Sequence, residues 1–466
     1  MRNFKILSLG VCLLAVLGLS SCGSGGSGAN NAQQQSGSIF TIGTDAPLPS
    51  VVSCQIMVTG VTVFNGTNNI PVLTNPQVVD FAQLSGLHQL LDLNAVPTGT
   101  YTSATVTLSS PVIGFIDTTQ NPPAINTING SLSTNSVTVQ FANPFVLQDN
   151  DLVGLRMEMD LRQSLAVDQN GQVTGVVNPI FHMQLLAADD SNVSIDDFHA
   201  GFVGSTGANT FTVQGPKGRQ WAVTVSPSTV MDDSDISVSS YTTNTILSIS
   251  GQLDPVSKSI DATEIEVVSQ DNFVLGGLLT SVRPPAPGAA TQADLYVRYE
   301  LPDVNGITDG QITTFDLTGN EVYRIGHIAL PLTTLLFNNS AMTPGQRVDV
   351  GGKLTQSNGL DTLTVHRVIL RRQGQAGNWV PGSTVVQNGN QGSFQFTDNW
   401  TAGVLLPSPL TVLTTNSTVF LNLNGLSALS GSQPISIRVV GFILIDPQTQ
   451  QPVMVAGAVE ALTDSD

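Results

Sequence analysis

The chain has 466 residues, of which 34 are acidic and 16 are basic, and its net charge at pH 7 is −18. This acidic balance excludes nucleic acid as an expected partner, because proteins that bind phosphate backbones carry basic patches. Its length predicts roughly three domains of about 150 residues each. Because charged residues make up only 11% of the chain and Gly, Thr, Ser and Val abound, strands and turns are favoured over solvated helices.

Residues 1–21 are predicted to be a lipoprotein signal peptide. Arg2 and Lys5 precede an apolar stretch that ends near Leu19, and small residues follow it, which is the three-part pattern of a secretion signal. Leu19-Ser20-Ser21-Cys22 resembles the lipobox of bacterial lipoproteins, in which the cysteine is lipidated and becomes the new N-terminus. The resemblance implies a chain anchored to the cell envelope through Cys22, and Gly23 rather than Asp after the cysteine implies the outer membrane by the sorting rule of enteric bacteria. Ordinary secretory cleavage beside a chance cysteine is the alternative.

Residues 22–37 are predicted to form a flexible tether. They are rich in Gly, Ser, Asn and Gln, and they offer too little apolar surface to offset the entropy of ordering. Cys12 leaves with the signal peptide and Cys22 is lipidated, so Cys54 has no partner for an intramolecular disulfide in the mature chain. We expect Cys54 to be buried, since it lies in an alternating apolar run.

Residues 38–194 are predicted to form a β-sandwich. Four runs alternate between apolar and polar residues and are separated by turn residues, which is a pattern typical of strands; they span residues 55–64, 100–108, 136–141 and 152–161. Two packed sheets bury one face of each such strand.

Several motifs in this segment occur in the order and spacing of a known family. They are Gly43-Thr44-Asp45-Ala46-Pro47, Leu90-Leu91-Asp92-Leu93, Val96-Pro97-Thr98-Gly99-Thr100-Tyr101, Asp160-Leu161 with Ser164, and Asn178-Pro179-Ile180. With these motifs the segment resembles the bacterial domain-of-unknown-function 4382 family. The resemblance covers about a third of the chain. It implies an exported β-domain, and it brings no established activity and no site residue.

The remaining sequence is repetitive. An element with a central glycine recurs as Ile249-Ser250-Gly251-Gln252-Leu253, Val350-Gly351-Gly352-Lys353-Leu354 and Val439-Val440-Gly441-Phe442-Ile443. Its spacing of roughly ninety to a hundred residues predicts three small β-units, over residues 195–272, 273–373 and 374–466, of which the last is divergent. The first unit resembles the domain-of-unknown-function 5666 family, whose small β-domains often occur in tandem on exported proteins. A small barrel of the oligonucleotide/oligosaccharide-binding type fits each unit, and a small sandwich also fits.

Candidate binding residues are few. Trp379 and Trp400 are predicted to lie in loops where they could stack on a sugar ring, with core packing as the alternative. Asp232, Asp233 and Asp235 form a candidate calcium site of hard oxygen ligands, with a solvated loop as the alternative. The acidic pair Asp196-Asp197 is expected in a solvated loop.

The sequence contains no HExxH motif, no Cys/His zinc spacing and no GxSxG elbow. We therefore expect a non-enzymatic lipoprotein without a cofactor. Its tandem β-domains are predicted to act as a binding, adhesion or scaffold module, with the membrane and either a glycan or an envelope protein as partners. The alternative is a hydrolase that acts on polysaccharide with a pair of carboxylates.

Overall fold

The computed structural model describes residues 36–462 except 47–50, 84–88, 118–123, 170–171, 188–193, 216–217, 219, 232–237, 255–256, 303–309, 327–334, 358–359 and 398–404. These residues belong to one compact unit, Gln35–Asp466. Strands dominate throughout it, which confirms the predicted all-β class. None of the helices in the described ranges has the length and apolar character needed to cross a membrane.

The N-terminal segment contains three sheets. Its strands are β1 (Ser36–Ala46), β2 (Val51–Phe64), β3 (Asn69–Leu73), β4 (Gln77–Asp80), β5 (Gln89–Pro97), β6 (Gly99–Asp117), β7 (Ala124–Asn129), β8 (Ser131–Leu132), β9 (Ser136–Leu147), β10 (Leu152–Asp160), β11 (Leu165–Val167), β12 (Val173–Val177) and β13 (Phe181–Ala187). One sheet has the order β13-β10-β1-β5, and a second has the order β3-β2-β6-β7 with β4 on β2 and β9 on β6. The third is β11-β12-β8. A single helical turn, α1 (Leu161–Ser164), and a 3-10 turn, Phe81–Gln83, complete the segment.

The two larger sheets share one hydrophobic core, as expected for a sandwich. From Cys54 onward the residues of β2 are buried in near alternation, and Val58 packs in the same core as Val106 of β6 and Leu155 of β10. Alternation places every second side chain on one face of a strand, so the polar residues between them face outward. The Tyr101 hydroxyl donates to the Pro97 carbonyl at 2.7 Å across the corner between β5 and β6. Such a tyrosine corner is typical of Greek-key sandwiches.

The next five strands form a closed barrel. They are β14 (Ser194–Ser205), β15 (Thr210–Gln214), β16 (Gln220–Met231), β17 (Ile246–Asp254) and β18 (Ser259–Ser269), in the order β14-β15-β16-β18-β17. β16 and β18 are parallel, whereas the other neighbours are antiparallel. A 3-10 turn, Val238–Ser240, precedes β17.

Two further sheets complete the chain. The six-stranded sheet contains β19 (Phe273–Arg283), β20 (Gln292–Leu301), β21 (Ile312–Asp316), β22 (Val322–Ile325), β23 (Arg347–Ser357) and β24 (Leu360–Leu370), in the order β21-β20-β19-β23-β24-β22. The seven-stranded sheet contains β25 (Gln373–Trp379), β26 (Val385–Asn388), β27 (Gln391–Thr397), β28 (Leu410–Thr414), β29 (Val419–Leu421), β30 (Ser436–Ile445) and β31 (Pro452–Ala461). Its order is β25-β30-β31-β28-β27-β26, with β29 on β31 and β25 also on β27. The 3-10 turns Asn339–Ala341 and Leu426–Ala428 lie in these two sheets' connections.

The barrel and the two later sheets share one connectivity. In each, the last two long strands form an antiparallel hairpin, and the last strand also pairs in parallel with an earlier strand: β18 with β16, β24 with β22, and β31 with β28. The predicted architecture of a sandwich followed by small β-units is thereby confirmed. The exact unit boundaries at 195, 273 and 374 stay predictions, because residues 35–466 form one compact unit.

The recurring glycine occupies the same place in all three hairpins. The strand register shifts at Gly251, at Gly352 and at Gly441, so each marks a bulge. A Cβ atom at these positions would lie 2.3, 2.2 and 2.0 Å, respectively, from a carbonyl oxygen of the neighbouring strand. No side chain fits at such a distance, which explains why the sequence repeats a glycine there.

The six-stranded sheet packs against the sandwich, the barrel and the seven-stranded sheet. Tyr296 and Leu278 lie in one apolar cluster with Val52 and Ile116 of the sandwich. A second cluster joins this sheet to the barrel, and its main core continues into strands β30 and β31. The sheet is therefore the structural centre of the described chain.

Candidate functional site

The structure places only one of the predicted binding residues. Trp379 is fully buried in the core of the seven-stranded sheet, and its indole Nε1 donates to Thr384 Oγ1 at 2.8 Å. Because the ring offers no exposed face, the structure assigns Trp379 to the core, which corrects the prediction of a ligand-stacking loop residue. Trp400, Asp232, Asp233, Asp235 and the lipidation residue Cys22 lie outside the described residues, and their roles stay predictions.

Among the described residues, the largest group of interacting charges lies between the barrel and the six-stranded sheet. We call it the buried charge cluster, and it consists of Asp197, His199, Glu266, Tyr299, Asp349 and Arg371. Three of these residues come from the barrel strands β14 and β18, and the others come from β20, β23 and the residue that follows β24.

A bulge in β14 brings Asp197 and His199 into the buried charge cluster. The register between β14 and β17 shifts between Ile195 and Phe198, and Asp197 in this bulge has a φ of 51°. Its backbone N–H donates to Ser250 Oγ at 3.2 Å. The side chain of Asp197 is 18% exposed and reaches toward Arg371. The expectation that it lies in a solvated loop is therefore wrong.

Arg371 is the centre of the cluster. Its side chain is 2% exposed, and its Nη1 bonds Glu266 Oε2 while its Nε bonds Asp349 Oδ2. The same Nη1 lies 3.5 Å from Asp197 Oδ1. One guanidinium thus connects two carboxylates of the barrel with one carboxylate of the six-stranded sheet.

Asp349 is the most enclosed carboxylate, with no exposed surface. Its Oδ2 lies 2.8 Å from His199 Nε2, and its Oδ1 accepts a hydrogen bond from the Tyr299 hydroxyl. The Tyr299 hydroxyl also lies 2.9 Å from His199 Nε2. A Cβ at Gly276 would come within 1.9 Å of the Tyr299 ring, so this glycine provides the space that the ring occupies.

The charges compensate one another inside the cluster. Burial alone raises the pKa of Asp349, but the positive charge of Arg371 and the hydrogen bonds to the carboxylate outweigh it and hold that pKa well below its usual range. The pKa of Asp197 is lowered for the same reason, since Arg371 and Arg347 outweigh burial. Burial would lower the pKa of Arg371, yet its three carboxylate neighbours raise it well above the ordinary value. All three groups are therefore ionised at neutral pH.

This arrangement suits a structural role better than acid–base catalysis. A glycoside hydrolase needs one carboxylic acid with a raised pKa that can reach the substrate. Asp349 and Asp197 have lowered pKa values and share one guanidinium. Burial does raise the pKa of Asp80, which lies inside the sandwich, where Ser53 Oγ donates to it at 2.7 Å and the Cys54 amide at 2.8 Å. In the described ranges, no group of three or more His, Cys, Asp or Glu side chains is arranged to hold a metal ion.

A cleft of about 490 Å³ lies at the same interface between barrel and sheet. Its lining includes Val203, Ile246 and Leu301 as apolar groups, and Gln214 and Asn272 as amides. No charged side chain is among the described residues that line it. The volume is within the range of small-molecule sites, about 300–1,000 Å³.

Little in the sequence indicated the buried charge cluster. Its members are spread from position 197 to position 371, and each looks ordinary in its local context. Arg371, which follows an apolar strand in a chain with few basic residues, is the one position where burial could have been suspected.

Residues 40–174 match the family described as a domain of unknown function, DUF4382. The match covers most of the sandwich and confirms the N-terminal resemblance; it spans less than a third of the chain. No curated protein matches the chain. The resemblance of the later units to the 5666 family stays a prediction.

Proposed function

We propose that this chain is a bacterial envelope lipoprotein, held at the outer membrane through lipidated Cys22, whose body is a non-catalytic binding or scaffold module. The signal pattern before Cys22 and the polar tether after it support the anchor. The sandwich's match to a family of unknown function is compatible with such a module and adds no activity.

The buried charge cluster is the observation that carries the non-catalytic part of this proposal. Enzymes place perturbed titratable groups in clefts that substrates reach. Here Asp349 is unexposed and Arg371 is 2% exposed, and Arg371 bonds Glu266 of the barrel as well as Asp349 of its own sheet. Such ion pairs hold units together rather than convert a substrate.

We propose a glycan as the ligand and the cleft beside Ile246 as its site. Sugars present both C–H faces and hydroxyl groups, and the cleft offers apolar side chains beside the amides of Gln214 and Asn272.

Metabolic labelling with a fatty acid tests the anchor. The wild-type chain should carry the label and sediment with membranes, whereas Cys22→Ser should lose the label and enter the soluble fraction. Cys54→Ser is the matched control, because Cys54 is buried in β2 and should not affect labelling. An unlabelled wild-type chain would exclude lipidation.

A glycan array with residues 35–466 tests the ligand. Val203 is 39% exposed and lines the cleft, so Val203→Arg should abolish binding by filling it. Val146 is 60% exposed on the sandwich, so Val146→Arg should bind like the wild type. Release of reducing ends from a bound glycan would contradict the non-catalytic role. If no glycan on the array is bound, a glycan ligand is excluded in favour of a protein partner.

A further inference from the structure

Strand β26 leaves one edge of the seven-stranded sheet open. It pairs with β27, and among the described residues it pairs with no other strand. All four of its residues are exposed, including Val385 at 55% and Val386 at 48%. Its outer N–H and C=O groups are therefore available for pairing with another strand.

The open edge is short and has a register shift between Val386 and Asn388, but it lacks two other features that usually protect such strands. Proteins blunt exposed edges with charged residues or proline, yet no charged residue occurs from Gln373 to Thr397, and β26 contains no proline. The edges of the six-stranded sheet differ. There β21 ends in Asp316 beside the ion pair of Arg283 with Asp294, and β22 contains Arg324.

The hairpin that carries β26 is held in place before any partner binds. Thr384, directly before the strand, accepts from the buried Trp379 indole and donates to the Leu429 carbonyl at 2.7 Å. Ser383 Oγ accepts from the Gln395 amide at 2.9 Å. A preorganised edge loses little conformational entropy when another strand pairs with it.

We propose that β26 pairs antiparallel with β26 of a second copy of this chain, which extends the two sheets across a two-fold axis. Antiparallel self-pairing places the same four residues on both sides, as a two-fold interface requires. The chain as a whole carries a net charge of −18, so two copies repel each other, and an uncharged contact region keeps that repulsion smallest. The uncharged stretch from Gln373 to Thr397 is such a region. This inference goes beyond the proposed ligand binding and does not depend on it.

Sedimentation of residues 35–466 over a concentration series up to about 0.5 mM tests the pairing. We expect the mass to rise toward twice that of the monomer. Val386→Lys places a charge on the edge and should weaken self-association by about tenfold or more. Val386→Thr keeps a β-branched residue and should associate like the wild type. Val230→Lys, at a valine 42% exposed on the barrel, is the control for added charge.

Two results would overturn the proposal: a wild-type chain that remains monomeric throughout the series, or a Val386→Lys chain that dimerises as well as the wild type. In a background in which Trp221 and Trp400 are replaced by phenylalanine, the emission of buried Trp379 shows whether each variant keeps the base of its hairpin folded, since Thr384 connects the indole to β26. Failure of glycan binding would leave this test unaffected.

Discussion

Replacing Arg371 by methionine removes the guanidinium from the buried charge cluster and retains much of the side-chain volume. Asp349 and Glu266 then stay enclosed, at 0% and 3% exposure, without their cation. Removing one partner of a buried ion pair destabilises a protein by about 3–5 kcal/mol, because the remaining charge is uncompensated. We expect a loss of this size in the free energy of unfolding of residues 35–466 at pH 7, measured by urea denaturation.

The matched control is Arg438→Met. Arg438 pairs with Glu460 across β30 and β31, and the two side chains are 25% and 20% exposed. Ion pairs with this access to water contribute at most about 1 kcal/mol to the free energy of unfolding. A loss for Arg371→Met that is no larger than the loss for Arg438→Met would refute the reasoning.

The pH dependence of the free energy of unfolding gives a second test with Arg371→Met. In the wild type, the folded-state pKa values of Asp349 and Asp197 are below their ordinary values, so their stabilising contribution is present at neutral pH and is lost as pH falls below about 4. Without Arg371, the largest lowering contribution is lost while burial remains, and we expect the pKa values of both carboxyl groups to rise above those of the unfolded chain. The stability difference between variant and wild type should therefore shrink from pH 7 to pH 4. A difference that stays constant or widens would contradict this account.

Two further predictions concern single positions. Gly441→Ala places a Cβ about 2.0 Å from the Val455 carbonyl oxygen and should lower the thermal unfolding midpoint, with a loss of about 1–3 kcal/mol; Gly457→Ala in the same hairpin, whose nearest such contact is 3.7 Å away, should change it far less. Tyr101→Phe removes the hydrogen bond to the Pro97 carbonyl and should cost about 1 kcal/mol in urea unfolding. Equal effects of the two glycine changes, or an unchanged Tyr101→Phe protein, would count against the assigned roles.

The alternation of apolar and polar residues predicted the strands well, because every second residue of a strand faces the buried side of its sheet. The recurring glycine was likewise readable, since close backbone approach at a bulge permits no other residue at Gly251, Gly352 or Gly441. Both features depend on contacts between a strand and its immediate neighbour. Such contacts restrict which residues can occur at the positions concerned.

For Trp379, the prediction from neighbouring residues was wrong. Its neighbours Asn378 and Pro381 suggested a loop, yet it is the last residue of β25, and its ring completes a core that includes Phe394 and Ile437. Whether an aromatic residue at a strand end faces solvent or core depends on which strands surround it, and the sequence around Trp379 does not contain that information.

The sequence by itself determined that the chain is all-β, that its N-terminal part resembles a known family, and that a glycine-marked hairpin recurs three times. These properties follow from side-chain alternation and from backbone crowding between adjacent strands. Only the tertiary structure decided that Arg371 joins Asp197, Glu266 and Asp349, because these residues come from different strands and meet only when the barrel packs on the six-stranded sheet. A buried ion pair between distant segments needs only complementary charge at the point of contact, and that requirement leaves no pattern along the chain.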